Sequence, residues 1–250
     1  MSAVEEAIRR NMSNKVNLDA LIPRADFLAN EGGLAAMSDK PAILAIDLEQ
    51  GQVFNSLLRK PDFQRETADW TPERIHKLVE AFVSGDLIPA VICWQSPQNL
   101  SFVIDGAHRL SAVKAWVHDD YGDGDKSREF YKNNIPEEQL KAAKRTRAII
   151  EREIGSYKQI LAEANNQGND PEITMFFRNL NAFGIQLQWL RSTEEEKAEQ
   201  AFFTINQSAV KIDATELKIL DTRFKANAII ARAVIRNATG HKYWDHTATM

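Results

Sequence analysis

The sequence predicts an α+β fold in which a mixed half of strands and helices is followed by a mostly helical half. Two observations predict it. Apolar and turn residues follow a helix–strand–turn–strand–helix order between residues 71 and 117. After residue 126, charge-rich helical periodicity and two capping-box signatures predominate. We therefore place two regions along the chain, a mixed region at residues 1–125 and a mostly helical region at residues 126–250.

The composition is that of a globular protein and excludes several functional classes. The 250 residues are 44% hydrophobic and 26% charged, with a net charge of −4. The chain is therefore not a polycation that coats nucleic acid, and contact with DNA requires a local basic patch. The single cysteine, Cys93, excludes a disulfide framework and a multi-cysteine zinc site. No apolar run reaches the roughly 20 residues of a membrane span, and a signal-peptide pattern is lacking, so we expect a cytoplasmic protein.

In the mixed half, the clearest element is a helix that begins after Thr71. Thr71 suits the N-cap, Pro72 the first helical position and Glu73 the first turn, and Gly85 ends the apolar periodicity. Other patterns predict a short strand at 43–48, a strand at 89–94, a turn at 96–99, a returning strand at 101–104 and a helix at 106–117.

The elements of the second half are predicted mainly from helix start and stop signals. The pattern predicts a helix at 137–154, a linker at 164–171, strands at 173–177 and 185–189, and helices that open at Ser192 and Asp213. The last ten residues contain neither a helix stop nor a polar tail, so we expect the natural chain to continue beyond residue 250.

The sharpest motif is Asp105-Gly-Ala-His-Arg109, a tight turn between a strand and a helix. Cations in the first turn of a helix are electrostatically misplaced, because that end is already partly positive. Free N–H groups, Gly106 and the side chains of His108 and Arg109 would together suit a phosphate. The alternative is structural: Asp105 caps the helix, Gly106 makes the turn, and His108 and Arg109 are merely exposed.

Two further segments point the same way, Gln64-Arg65 upstream and Phe203-Thr-Ile-Asn206 downstream. With these three segments the sequence resembles the ParB/sulfiredoxin-like superfamily. It is most similar to the DGQHR/DGQQR-motif branch, which includes DndB-, SspE- and GmrSD-type N-terminal domains. The resemblance covers roughly residues 57–220. One position departs from the pattern, since Ala107 stands where the branch usually has Gln, and this affects nucleotide specificity more than phosphate binding.

The resemblance implies a domain that binds a nucleoside triphosphate with Mg²⁺, ATP being the first candidate, and many members also hydrolyse it, in DNA modification or restriction. It implies that residues 1–125 form the nucleotide-binding region and that the mostly helical region at 126–250 completes the site. By position, it implies catalytic roles for Asp105, His108 and Arg109. The implied nucleotide- and phosphate-binding set is Gln64, Arg65, Gly106, His108, Arg109 and Asn206. We expect DNA and DNA-modifying or restriction proteins as partners, and neither a membrane nor a resident metal site.

Two alternatives to the nucleotide hydrolase stay open. In the first, the domain is a non-catalytic DNA-binding or regulatory module, whose basic run Lys141, Lys144 and Arg145 lies on the helix at 137–154. A solvated helical face balanced by glutamates explains the same run. In the second alternative, Asp105 and Glu66 share a metal in a nuclease.

Overall fold

The computed structural model describes residues 15–25, 40–61, 64, 67–68, 70–165, 170–191, 195–209, 225–226 and 230. The chain divides into two compact units, Met1–Ala201 and Phe202–Met250. A mixed six-stranded sheet with helices lies in the first unit, which confirms the α+β class. The functional boundary that we predict at residue 125 stays a prediction.

The sheet has the strand order β1-β3-β5-β4-β6-β2. Its strands are β1 Arg24–Ala25, β2 Ala42–Ile43, β3 Leu58–Pro61, β4 Val91–Gln95, β5 Ser101–Asp105 and β6 Ile185–Leu190. β3 is parallel to both β1 and β5, and β4 is parallel to β6. The hairpin partners β4 and β5 are antiparallel, as are β2 and β6. The hairpin predicted around the turn at 96–99 and the strand predicted at 185–189 are therefore confirmed.

Within the described residues, the helices are α1 Val53–Leu57, α2 Pro72–Ser84, α3 Ala107–His118, α4 Asp125–Phe130, α5 Glu137–Glu153, α6 Tyr157–Asn165, α7 Pro171–Ala182 and α8 Glu195–Ala209. Two 3₁₀ helices, Asp19–Leu21 and Ala45–Leu48, precede α1. Helix α2 begins and ends as predicted: Thr71 accepts a hydrogen bond from the backbone N–H of Arg74, and Gly85 has a left-handed conformation. The helix predicted from Asp213 lies outside the described residues.

Two strand predictions need correction. Residues 173–177 lie inside α7, because Asp170 caps that helix by accepting hydrogen bonds from the N–H groups of Glu172 and Ile173. Pro171 at the first helical position adds a second start signal, and these signals outweigh the β-branched and aromatic residues that follow. The predicted strand at 43–48 is a two-residue strand that continues into a 3₁₀ helix.

Helix α3 lies in the centre of the first unit and positions the predicted site. It directly follows β5 through Gly106, and its residues are buried from Leu110 to Val117. His108 and Arg109 are its partly exposed residues near the start. Because β3 and β5 are parallel, their C-terminal ends lie at the same edge of the sheet, where α3 begins. None of the described helices is long and apolar enough to cross a membrane.

Candidate functional site

The turn between β5 and α3 is built on a glycine that no other residue could replace without strain. Gly106 is the N-cap of α3 and has φ +94°, in the left-handed region. A Cβ atom at this position would lie 2.7 Å from Cγ2 of Val91 and 3.0 Å from Nη2 of Arg109. The Gly106 carbonyl accepts from the N–H of Leu110 at 2.9 Å. No side chain caps α3, so the backbone N–H groups of its first turn have no hydrogen bond to a capping side chain.

Asp105 and Arg109 pair with each other across this turn. Nη2 of Arg109 donates to Oδ2 of Asp105 at 2.7 Å and to the carbonyl of Ala90 at 2.9 Å. Asp105 is therefore not the helix cap that the structural alternative requires. Arg109 is 20% exposed and Asp105 31%, so both face a partly open edge. The Nε atom of Arg109 is buried and has no hydrogen-bond partner within the described part of the chain.

The ring of His108 is held by aromatic stacking. It stacks on Trp70, with ring centroids 5.7 Å apart and an angle of 24° between the planes. The Arg74 guanidinium lies 4.6 Å from the Trp70 ring centroid, a cation–π geometry. Trp70 is itself buried and pairs through an isolated β-bridge with Val16. The Arg74 guanidinium on α2 and the His108 imidazole on α3 therefore lie against a single tryptophan. Trp70 directly precedes the α2 cap, and nothing at this position of the sequence indicates stacking on His108.

Gln64 follows β3, at the sheet edge where β5 ends. Its side chain is buried, and its Oε1 accepts no hydrogen bond within the described residues. The backbone of Gln64 is held because its carbonyl accepts from Nη1 of Arg24 and its N–H donates to the carbonyl of Pro61. A buried amide oxygen without a donor is costly. Gln64 therefore has an acceptor available for a ligand.

The segment around Gln64 is anchored by a buried charge cluster that sequence reasoning missed. Asp19 accepts from Lys60 Nζ at 2.6 Å, from Arg24 Nη2 at 2.9 Å and from the backbone N–H of Thr67 at 3.0 Å. Lys60 Nζ also donates to the Asp19 carbonyl and the Thr67 hydroxyl. Burial by itself raises the pKa of the Asp19 carboxyl, but Lys60, Arg24 and the hydrogen bonds hold this pKa well below its usual range. Asp19 and Lys60 are far apart in sequence and belong to no motif, so no sequence signal could have paired them.

The predicted residues divide into three groups. The structure places Asp105, Gly106, His108 and Arg109 together at the start of α3, with Gln64 at the corresponding edge of the sheet. Arg65 and Glu66 lie outside the described residues. Asn206 lies within α8, in the second unit, and its side chain is not among those described.

The predicted basic run lies on α5, and carboxylates accompany two of its three members. Lys141 pairs with Glu137 at 2.7 Å, and Arg145 pairs with Glu73 of α2 at 2.5 Å. Lys144 is exposed. These pairs reduce the positive potential of the face, which favours the interpretation as a solvated helical surface. A DNA-binding role for this helix stays a prediction.

Comparison with known proteins gives one family. The search of curated proteins and the search of solved structures found no match. The family model described as "GmrSD restriction endonuclease, N-terminal domain" matches residues 48–220. The match spans more than half of the chain and includes Gln64 and the whole Asp105-to-Arg109 motif. It confirms the resemblance drawn from the three sequence segments, and it implies a role in a restriction or defence system. The chain belongs to the family of GmrSD-type N-terminal domains.

Proposed function

We propose that this domain binds a nucleoside triphosphate, ATP as first candidate, and hydrolyses it in the service of a restriction or defence system. The observation that carries the proposal is the start of α3. A glycine allows the backbone a close approach there, the helix N-terminus offers free N–H groups, and His108 and Arg109 lie in its first turn. These features are the usual recognition elements for a phosphate.

Each side chain has a separate part in this proposal. His108, held against Trp70, donates to a phosphate oxygen without having to lose much rotational freedom. Arg109 turns part of its guanidinium toward the phosphate while Asp105 keeps the group in place. Gln64 offers its amide to the nucleotide from the edge of β3. Arg65 and Asn206 complete the set that the family resemblance implies.

The described residues fit a Mg²⁺ ion that binds together with the nucleotide and not in advance of it. They contain no group of three or more His, Cys, Asp or Glu side chains that could hold a metal by itself. Mg²⁺ in triphosphate sites is usually bound by phosphates, waters and one or two carboxylates. Asp105 is a partly exposed carboxylate at the start of α3 and would be the protein's contribution. When bound, the ion would neutralise charge on the phosphates.

Nucleotide binding and turnover measured with ATP, GTP and CTP in the presence of Mg²⁺ test the proposal. His108→Ala should weaken binding at least tenfold, because a charge-assisted hydrogen bond to a phosphate contributes about 1.5–3 kcal/mol. Arg65→Ala should lose as much. Lys158→Ala is the control, because Lys158 is an exposed lysine on α6, and it should leave binding unchanged.

The outcomes separate the alternatives. If wild-type protein binds none of the three nucleotides, the proposal is wrong. Nucleotide binding without turnover supports a regulatory module. A DNA-binding module is supported if the protein binds DNA with an affinity that falls steeply as salt is raised and that is weakened by Lys144→Ala. Plasmid nicking that needs Mg²⁺ or Mn²⁺ and is lost with Glu66→Gln supports the nuclease.

A further inference from the structure

The middle of α3 buries a lysine, Lys114, for which the described residues provide no polar partner. Lys114 is 4% exposed, and it makes no hydrogen bond or ion pair with the residues that the structure describes. Removing an ammonium group from water is costly unless oxygen atoms replace the lost hydration. Proteins therefore either pair such a group or leave it neutral. We therefore expect Lys114 either to bind a ligand or to lose its proton.

The charged neighbours that act most strongly on Lys114 are cations. Burial, followed by the charges of Lys126 on α4 and of Lys60 and Arg59 on β3, lowers the pKa of Lys114 to about 7. Burial also lowers the pKa of His118, at the end of α3, and Lys114 and Lys126 contribute to that shift. Nε2 of His118 lies 2.6 Å from the Leu48 carbonyl, which can only accept, so this nitrogen carries a proton. Positive charge thus converges on this part of α3 from two further elements.

The carboxylates of this region are already engaged elsewhere. Asp19 is shared by Lys60 and Arg24. Asp120 accepts from the N–H groups of Gly122, Gly124 and Ser127 and from the Ser127 hydroxyl. Glu129 pairs with Lys126 at 3.3 Å, in an exposed position. None of these contacts reaches Lys114, so the positive charge around it is only partly balanced.

A second polar group lies one turn earlier on the same helix. The Oγ atom of Ser111 is buried and has no hydrogen-bond partner within the described residues. Residues three apart share a helix face, and helical side chains lean toward the N-terminus, so the Lys114 chain extends over the turn that carries Ser111. A hydroxyl beside an ammonium is a donor set suited to an oxyanion. Two neighbouring buried polar groups therefore lack the same kind of partner, an acceptor.

We propose that Lys114 and Ser111 form a binding site for a small phosphate-class oxyanion, with Arg59 and Lys126 at its entrance. Arg59 is half-buried and Lys126 is exposed, so the positive charge leads from the surface inward. The site is separate from the nucleotide site, because Lys114 is seven residues from Ala107, about 10 Å along the helix axis. A bound anion holds Lys114 in its charged form, and without the anion the lysine loses its proton near neutral pH.

Sulfate is the sharpest probe, because it keeps its full charge between pH 6 and 8. Sulfate binding is measured by calorimetry at constant ionic strength, with chloride as the balancing salt, on wild type, Lys114→Met and Lys158→Met. Lys114→Met should lower sulfate affinity at least tenfold, whereas replacement of the exposed Lys158 on α6 should make no difference. Wild-type affinity should fall several-fold from pH 6 to pH 8, and this dependence should disappear in Lys114→Met. Inorganic phosphate should compete with sulfate.

The two sites are distinguished with the same proteins. Sulfate also suits the phosphate position at the start of α3, so the second site is identified by the part of the sulfate binding that Lys114→Met removes. His108→Ala should keep that part, and Lys114→Met should keep ATP binding, so the failure of one proposal does not affect the other. The inference is overturned if wild type binds sulfate no better than chloride, or if Lys158→Met loses as much affinity as Lys114→Met. If Lys114→Met does not fold, acetylation of wild-type Lys114 followed by mass spectrometry replaces it. Sulfate should slow that acetylation at least fivefold at pH 8, and an unchanged rate contradicts the site.

Discussion

Two buried lysines that influence each other electrostatically have opposite surroundings. Lys60 on β3 is 0% exposed and donates to the Asp19 carbonyl, the Asp19 carboxylate and the Thr67 hydroxyl. Lys114 on α3 is almost as buried and has no acceptor within the described part of the chain. Because several kcal/mol are needed to desolvate each ion, such a difference is informative. A fully paired charge belongs to the scaffold, and the unpaired one is where we propose that a ligand binds.

The same distinction applies to single polar atoms. The β1–β3 edge is satisfied through Asp19, whereas Gln64 Oε1, Arg109 Nε and Ser111 Oγ are buried without a partner in the described residues. These three lie on or beside the elements that meet at the start of α3, whereas Asn55 Oδ1, in the same state, lies on α1. Buried unpaired polar atoms are rare in native proteins. The three atoms near α3 therefore support both proposed sites by an observation independent of the family match.

The largest effect should come from breaking the paired cluster. Asp19→Ala leaves Lys60 and Arg24 buried without their carboxylate, and this should lower the free energy of unfolding by about 3–5 kcal/mol. Chemical denaturation measures it. Lys114→Met is the matched comparison, because it removes a lysine that has no partner among the described residues, and it should leave stability unchanged or raise it. A destabilisation of similar size in both variants would contradict the distinction between the two lysines.

The pH dependence of stability gives a second measure of the cluster. The pKa of Asp19 is lower in the folded than in the unfolded protein, so its stabilisation is complete above about pH 4, the unfolded value. The stabilisation is lost progressively as the pH falls below that value, because the unfolded chain then binds a proton that the folded one excludes. In Asp19→Asn the slope of stability against pH below pH 4 should be smaller. Denaturant titrations at pH 2.5 to 5 on both proteins check this.

Local signals in the sequence predicted the elements around the site. The Thr71 cap and Gly85 bounded α2, and Asp105-Gly106 marked the passage from β5 to α3. The motif residues therefore lie together as expected, because neighbours in sequence share one turn. The family match covers these local residues together with Gln64-Arg65 and the segment ending at Asn206.

Long-range pairing could not be predicted in the same way. Nothing near Asp19 or Lys60 indicates that their side chains meet, because the contact depends on how β3 packs against the 3₁₀ helix Asp19–Leu21. The stacking of His108 on Trp70 depends likewise on the placement of the segment before α2. The wrong prediction at residues 173–177 has a local cause. Their composition is typical of a strand, but the helix start signal at Asp170 outweighs it.

An intermediate loss of stability is expected when Gly106 is replaced, because the site depends there on the backbone conformation and not on a charge. Gly106→Ala adds a Cβ 2.7 Å from Val91 at positive φ, and should cost about 2 kcal/mol from backbone strain and crowding. Gly51→Ala is a close control, because Gly51 has φ +89° and no atom within 4 Å of the added Cβ. Thermal denaturation of both variants isolates the contact with Val91. Equal losses would show that only the backbone conformation matters.

The smallest effect should be at Arg145, where the ion-pair chemistry of Asp19 and Lys60 recurs in water. The Arg145 side chain is 54% exposed and its partner Glu73 48%, so solvent screens the pair. Arg145→Ala should therefore change the free energy of unfolding by no more than about 0.5 kcal/mol.

Arg147→Ala, on the same helix, removes less exposed ion pairs with Asp119 and Asp123 and a cation–π contact with Tyr121. It should cost about 1–2 kcal/mol. Denaturation at low and at high salt checks both values. If Arg145 mattered as much as Arg147, burial would not be what separates scaffold charges from surface charges in this fold.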